Sequence, residues 1–258
     1  MLFRKLFVAA AFVAALAGSA QAQSAREELA PTGKLRIGVY PGSPSSMIDD
    51  AATHEKHGVT VELGEALAAQ LGVGYEFVVY PRVAEVVDAI KAGAVDFTIT
   101  NATPARAEIV DFGPHLLALE LGYLVPAGSP VQNLADVAKP GVRVGVTEGS
   151  SSQRSLPKLL PGAVFVTAPN MKEVVGLLQR HEIDVFATNK GVLFETADQA
   201  PGACVLKGRW GEEHMAAAIP KGRPKGLEFL NGFSQEARAN GLVAKAAEHA
   251  GMRGLAKD

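Results

Sequence analysis

The feature that most constrains the fold of this chain is a phrase that occurs twice. AVDFTITN spans residues 94–101, and EIDVFATN spans residues 182–189. In each copy an aspartate lies near the start of a β-rich run that ends in Thr-Asn, after a helix-period segment and an earlier strand. Because the polar breaks fall at matching places, we predict two structurally equivalent α/β units. The alternative is the chance likeness of ordinary βαβ segments.

Each half follows an alternating pattern of strands and helices, which predicts parallel strands with helical crossovers. The predicted elements of the first half are strands at Lys34–Tyr40, Tyr75–Tyr80 and Val95–Thr100 and helices at Val61–Leu71 and Val83–Lys91. The predicted elements of the second half are strands at Val142–Thr147, Ala163–Thr167 and Ile183–Thr188, a short helix running toward Leu160 and a helix at Met171–Arg180.

Two segments, Leu116–Val125 and Glu212–Ile219, are predicted to connect the units. The tail, Lys225–Gly251, has apolar residues at helical spacing and needs a unit to pack on. Returning the tail to the first unit gives two chain crossings and a hinged cleft. We therefore predict one lobe from residues 23–118 plus 214–258 and a second lobe from residues 119–213.

Residues 1–22 are predicted to be a cleaved secretory signal peptide. Arg4 and Lys5 precede the apolar run Leu6–Ala17, and Ala20-Gln21-Ala22 is an A-x-A cleavage site. The apolar run is too short to cross a bilayer. Cys204 is the only cysteine, so an intrachain disulfide cannot form. An exported, disulfide-free chain fits a soluble protein of the bacterial periplasm.

The charge balance excludes several classes of partner. The chain has 25 Lys and Arg against 27 Asp and Glu, and removing Arg4 and Lys5 makes it more acidic. This balance argues against nucleic acid and against a polybasic membrane surface. His54 and His57 lie three apart without a third ligand nearby, so no metal is expected. No dinucleotide, Walker or G-x-S-x-G motif is present, and no cofactor is expected.

Polar groups converge after the predicted strand at Val95–Thr100. Thr103 suits a helix N-cap and Pro104 the first helical position. A helix start there would bring together Thr100, Asn101 and Arg106 at the carboxyl end of a strand, where open α/β folds bind ligands. Hydroxyls, free N–H groups and a guanidinium favour a carboxylate or another small anion. A polar turn with a surface arginine is the alternative.

Taken in order, these segments resemble the periplasmic solute-binding proteins of ABC importers, specifically the polar amino-acid type, family 3. The resembling segments are KLRIGVY, GVTVELGEALAAQLG, AIKAGAVDFTIT, TPARAEIVDFGP, VRVGVTEGSSSQ and EIDVFATN. Each motif is weak alone, but their order and spacing together are specific. The resemblance implies a two-lobed, type II periplasmic-binding-protein-like α/β fold and a binding protein for transport, with no enzymatic activity.

The resemblance also assigns roles to residues. The arginine of the family's T-x-x-R motif clamps the ligand carboxylate, and here it is Arg106. Thr100 and Asn101 would assist it, and Ser150 and Ser151 would contribute hydroxyl and N–H groups from the G-[ST]-[ST] turn of the other lobe. The implied partners are a small carboxylate ligand and the inner-membrane permease of an ABC importer, and the protein is expected to be a monomer.

Two positions depart from the family pattern. Asn189 stands where similar proteins carry an aspartate that binds the ligand ammonium, so the pocket would lack an anion for an α-amino group. Tyr40 stands where an acidic residue is common. We therefore hypothesise that the ligand is a small organic acid with a carboxylate, an amino acid or a related compound, and that it need not be an α-amino acid.

Two further residues are candidates for roles in the cleft. Arg82 follows Tyr80-Pro81, a loop that borders the cleft in such folds, although it could instead be a solvated or helix-capping arginine. The same fold is used by a few periplasmic enzymes, notably a dehydratase acting on cyclohexadienyl acids, and this is the alternative function. That reaction needs a general acid, for which Glu148 is the candidate.

Overall fold

A computed structural model describes residues 23–49 and 55–256; the predicted signal at residues 1–22 and His54 lie outside this part of the chain. The elements of the first half are α1 (residues 23–29), β1 (Lys34–Val39), β2 (Ile48–Asp49), β3 (Lys56–His57), α2 (Val59–Leu71), β4 (Gly74–Val79), α3 (Val83–Lys91), β5 (Thr98–Asn101), α4 (Pro104–Ala107) and β6 (Val110–Val125). The remaining elements are α5 (Leu134–Val137), β7 (Arg143–Thr147), α6 (Ser151–Leu159), β8 (Val164–Ala168), α7 (Met171–Gln179), β9 (Val185–Asn189), α8 (Lys190–Gln199), β10 (Cys204–Val205), β11 (Gly211–Pro220), α9 (Pro224–Ala239) and α10 (Leu242–His249).

The two long strands β6 and β11 belong to one seven-stranded sheet that extends through both halves of the chain. Its order is β5-β11-β6-β9-β7-β8, and β10 also pairs with β6. The prediction of parallel strands is confirmed for β7 with β8 and β9, and for the separate pair of β1 and β4. The predicted third strand of the first half also meets β1 in parallel, at the bridge between Ile37 and Phe97. Its continuation, β5, pairs antiparallel with β11, a pairing that the sequence analysis did not predict.

The third strand of the first half begins later than predicted. It was expected from Val95, but β5 starts at Thr98. The N–H groups of Asp96 and Phe97 both donate to the carbonyl of Arg36, at 2.9 and 3.2 Å. These two residues therefore hydrogen-bond to the start of β1 before the regular strand β5 begins.

Separate hydrophobic cores lie in the two halves. The first contains Ile37 and Leu63 together with Leu230 and Phe233 of α9. The second is built on Val144, Val146 and Val185 of the other half. Each core is covered by helices that bury their apolar stripes against strands, as in other layered α/β folds. The chain thus has a two-lobed α/β fold; the exact boundaries after residues 118 and 213 stay a prediction.

The tail is helical, as its periodicity predicts. It forms α9 and α10, and the break falls at Gly241, whose φ of 79° is a left-handed conformation that glycine adopts without strain. Both helices pack on the first lobe, where α9 contacts β6 and α10 contacts α2.

A third crossing follows the tail, where two were expected. The N–H of Glu120 donates to the carbonyl of Gly254, and the N–H of Ala256 donates to Ala118, both at 2.9 Å. Arg253 then forms ion pairs with Glu195 and Asp198 of α8, at 3.0 and 2.6 Å. Residues 251–256 therefore run along β6 from the first lobe to the second.

Candidate functional site

Every side chain that the sequence analysis assigned to a site lines one cavity between the lobes. These residues are Tyr40, Arg82, Thr100, Asn101, Arg106, Ser150, Ser151 and Asn189. The space that protein atoms leave empty there is about 640 Å³, part of it open to solvent. Contact between these residues and a ligand stays a prediction.

Arg106 is placed in the cavity by the start of α4. Thr103 caps this helix, its Oγ1 accepting from the N–H of Arg106 at 3.3 Å, and Pro104 occupies the first turn. The arginine is only 5 % exposed, which excludes a surface arginine. Its Nη1 donates to Oγ1 of Thr100 at 2.7 Å and to the carbonyl of Asn101 at 3.3 Å. A guanidinium carries five N–H donors, so donors remain for a ligand carboxylate.

Two helix N-termini of the second lobe reach the same cavity. Oγ of Ser150 caps α6 by accepting from the N–H of Gln153 at 3.1 Å. Oδ1 of Asn189 caps α8 by accepting from the N–H of Val192 at 3.0 Å. Helix N-termini present unpaired N–H groups and the positive end of the helix dipole, so both favour an anion.

Arg82 spans the two lobes at the edge of the cavity. Its guanidinium forms ion pairs with Glu148 of the second lobe and, at 2.9 Å, with Glu85 of α3. It also donates to the carbonyl of Pro169 at 3.4 Å. Arg82 also occupies the N-cap position of α3, where its side chain makes no capping hydrogen bond.

Tyr40 lies at the end of β1. Its N–H donates to Oγ of Ser46 at 2.8 Å, and its hydroxyl donates to Oγ of Ser43 at 3.5 Å. Burial is the main cause of a raised pKa for Tyr40. It therefore lines the cavity as a neutral phenol, which can donate or accept a hydrogen bond.

Glu148 does not have the environment of a general acid. Its side chain is 50 % exposed and is ion-paired with Arg82. A carboxyl group that gives up a proton during catalysis near neutral pH is typically buried away from cations. The sequence assignment of the acid to Glu148 is not supported by this geometry.

Glu213 of β11 is the functional candidate that the sequence analysis missed. It lines the same cavity and is 6 % exposed. Its Oε1 accepts from Nδ2 of Asn189 at 2.8 Å, and its Oε2 accepts from Oγ of Ser151 at 3.3 Å. The sequence interpretation left this side of the pocket without an anion, and Glu213 corrects it.

A signal for Glu213 exists in the sequence, although it is weak. Strand β11 reads GEEHMAAAIP, and side chains two apart on a strand share a face. Glu213 therefore lies on the face of the buried Met215, whereas Glu212 and His214 are exposed. Choosing that face as the inner one requires the sheet order, which local sequence does not give.

The charges of Arg106 and Glu213 influence one another within this cavity. Burial lowers the pKa of Arg106, and the carboxylate of Glu213 opposes this effect. Burial raises the pKa of Glu213, and the Arg106 guanidinium together with hydrogen bonds from Asn189, Ser151 and Asn101 opposes that rise. Arg106 remains protonated at any physiological pH.

The described residues contain no group of three His, Cys, Asp or Glu side chains that could hold a metal ion. His57, one of the two histidines considered for this role, stands near the ring of His249, with a centroid distance of 5.8 Å. In the same part of the chain, no helix combines the length and the apolar character needed to cross a membrane.

Two α/β lobes, joined by crossing strands and enclosing a cavity that contains a buried arginine, are the architecture of a solute-binding protein. The chain belongs to the bacterial extracellular solute-binding proteins, family 3, whose profile matches residues 35–251. A search of curated proteins found no match.

Solved structures of similar proteins agree with this assignment. An L-cysteine solute receptor of Neisseria gonorrhoeae is 26 % identical, with a TM-score of 0.77 over 88 % of this chain and 92 % of that one. An ancestral arginine-binding protein bound to arginine is 26 % identical, with a TM-score of 0.74 over 84 % and 97 %. The ancestral amino acid-binding protein AncCDT-1, a precursor of cyclohexadienyl dehydratase, is 26 % identical, with a TM-score of 0.74 over 86 % and 97 %.

Proposed function

We propose that this protein captures a small carboxylate-bearing solute, an amino acid or a related organic acid, between its lobes. The observation that carries the proposal is Arg106, a buried guanidinium held by Thr100 and Asn101 with donors left over in the cavity. The N-termini of α6 and α8 add N–H groups from the opposite lobe. Ligand contacts made from both lobes would favour the closed arrangement.

We further propose that the protein acts in the periplasm after removal of residues 1–22 and delivers its ligand to the permease of an ABC importer. The motif resemblance to importer-binding proteins supports this role, as do relatives described as receptors for L-cysteine and as arginine-binding. Uptake of labelled ligand into cells that express the chain, compared with cells that lack it, tests delivery.

The binding experiment uses residues 23–258, freed of carried-over ligand by unfolding and refolding. Calorimetry and thermal melting would follow amino acids, their deaminated counterparts and dicarboxylates. Trp210, whose indole N–H donates to the carbonyl of Gly122 at 2.9 Å beside the crossing strands, provides a fluorescence signal for closure.

We expect at least one carboxylate to raise the melting temperature, and Arg106→Ala to weaken its binding about 100-fold or more, since a buried charge pair is lost. Arg180→Ala removes an exposed arginine of the second lobe and serves as the control. Binding that survives Arg106→Ala, or a panel without any ligand, would refute the proposal.

A second candidate function is a dehydratase on the same fold. The observation that favours it is Glu213, a buried carboxyl group with a raised pKa inside the cavity, as a general acid requires. AncCDT-1 adds a relative described as an enzyme precursor. Incubation with a cyclohexadienyl acid, followed by the absorbance of an aromatic product, distinguishes turnover from binding.

A further inference from the structure

The cavity contains two buried charges of opposite sign that do not pair with each other. Arg106 is 5 % exposed and Glu213 is 6 % exposed, yet neither takes part in an ion pair within residues 23–49 and 55–256. Arg106 donates to a hydroxyl and a carbonyl, and Glu213 accepts from an amide and a hydroxyl. Across the cavity each charge partly compensates the other, and neither is matched by a direct ion pair.

The carboxylate of Glu213 is held in place by neutral donors. Asn189 caps α8 through Oδ1 and donates to Glu213 through Nδ2, so one amide fixes both the helix start and the carboxylate. Ser151 at the start of α6 donates to the other oxygen. A carboxylate accepts about four hydrogen bonds, so lone pairs remain for further donors. An aspartate at 189 could not donate in this way.

We infer that Glu213 selects ligands that carry a cationic amine beside the carboxylate bound by Arg106, so that the solute is a zwitterion. The inference rests on the proposed function and narrows its ligand class. The guanidinium would take the ligand carboxylate and Glu213 the ligand amine, each through charge-assisted hydrogen bonds. The anion absent from position 189 is thus supplied by the crossing strand β11.

This arrangement ranks ligands by charge. A zwitterion compensates both Arg106 and Glu213. A plain monocarboxylate compensates Arg106 and leaves Glu213 buried without a cationic ligand group. A dicarboxylate brings a second negative charge toward Glu213 and is repelled. Discrimination of this kind depends on leaving a buried charge unpaired in complexes with the wrong ligand.

The first experiment compares each amino acid with its deaminated counterpart in three proteins. We expect the native chain to bind the amino acid at least tenfold more tightly. Glu213→Gln keeps the shape and should reduce amino-acid affinity at least tenfold, and the ratio of amino-acid affinity to deaminated-acid affinity should fall with it. Glu212→Gln is the matched control, because the neighbouring carboxylate is exposed and ion-paired with Arg209.

The outcomes separate this inference from the proposed function. Deaminated acids that bind the native chain as tightly as amino acids would overturn the inference and leave the carboxylate function standing. An unchanged affinity ratio in Glu213→Gln would also overturn it. A native chain that binds no carboxylate at all would overturn the proposed function itself.

A double variant that moves the negative charge to a neighbouring side chain controls for the case in which Glu213→Gln misfolds. Asn189→Asp combined with Glu213→Gln moves the anion one side chain away, and the new glutamine amide can donate to the new aspartate. We expect this double variant to recover at least part of the amino-acid preference. Asn189→Asp alone sets two carboxylates side by side and should weaken binding. Failure of the double variant to regain any preference, in a protein that melts normally, contradicts the inference.

The pH dependence gives a second readout. The titratable and charged groups facing Glu213 are Arg106 from α4 and Tyr40 at the end of β1; Asn101, Ser151 and Asn189 are neutral. Because burial raises the pKa of Glu213, its carboxylate is lost as the pH falls, and affinity for a zwitterion should fall with it. Glu213→Gln should abolish this fall. An identical pH profile in both proteins contradicts the inference.

Discussion

The two lobes are anchored by the same bonds in different surroundings. The backbone N–H, Nε and Nη2 of Arg36 donate to Asp96, at 3.2, 2.7 and 2.8 Å. The same three groups of Arg143 donate to Asp184, at 2.7, 3.2 and 2.6 Å. The Asp96 side chain is fully buried and also pairs with Arg223 at 2.8 Å, whereas that of Asp184 is 20 % exposed. The aspartate of the repeated phrase therefore ties the third strand of each unit to its first.

The difference between the anchors comes from the tail. Arg223 directly precedes α9, which contributes to the core of the first lobe, and there is no counterpart among the described residues around Asp184. Local sequence thus fixes the hydrogen bonds, while the remote tail fixes their burial. Since the cost of breaking an ion pair depends on its burial, equal bonds should have unequal energies.

The largest expected effect is on stability. Asp96→Asn leaves the mostly buried side chains of Arg36 and Arg223 without their carboxylate and should lower the free energy of unfolding by about 3–5 kcal/mol. Asp184→Asn, in a more solvated pair, should cost about 1 kcal/mol. Denaturant titrations of both variants measure the difference. Equal losses would show that the tail does not affect the first anchor.

The sequence predicts features that depend on neighbouring residues and misses features that depend on residues far apart in the chain. The repeat, helix α3 and the capped start of α4 were predictable, because caps, periods and turn residues act within a few positions. Arg106 was identified for that reason. The antiparallel pairing of β5, the third crossing and Glu213 were not, because each depends on residues far apart in the chain. Nothing in the segment at residues 251–256 has a periodicity that would indicate its partners.

The two lobes also contribute different residues to the contact between them. Gly149 of the second lobe has φ 69°, and a Cβ at this position would lie 2.4 Å from Cβ of Ala84 in α3 of the first lobe. Two methyl groups cannot approach so closely. The lobes can therefore sit at this distance only because one side of the contact is glycine.

The next effect in size is on ligand affinity. Gly149→Ala should weaken binding about tenfold, because relieving the overlap requires the lobes to separate. Gly128→Ala is the matched control: it has φ 71° in the same lobe, with nothing near its would-be Cβ. Both variants should lose similar stability from the left-handed backbone, about 1–2 kcal/mol. Adding Ala84→Gly should restore ligand affinity in the Gly149→Ala variant and should not change it in the Gly128→Ala variant. Equal ligand affinities in the two alanine variants would show that ligand binding does not depend on how closely the lobes approach each other.

The smallest effect concerns Arg82, whose role the comparison of lobes sharpens. Its ion pair with Glu148 joins the lobes at the rim, but its partner is half-exposed, and exposed pairs contribute about 0.2–1 kcal/mol. If Arg82 acts only as a bridge, Arg82→Ala should weaken ligand binding less than about fivefold. Glu148→Gln should cause the same loss, and salt should reduce it in both. A loss approaching that of Arg106→Ala, unmatched by Glu148→Gln, would instead mean that Arg82 leaves Glu148 to bind the ligand. The first lobe would then supply two cations, Arg82 and Arg106, to the ligand.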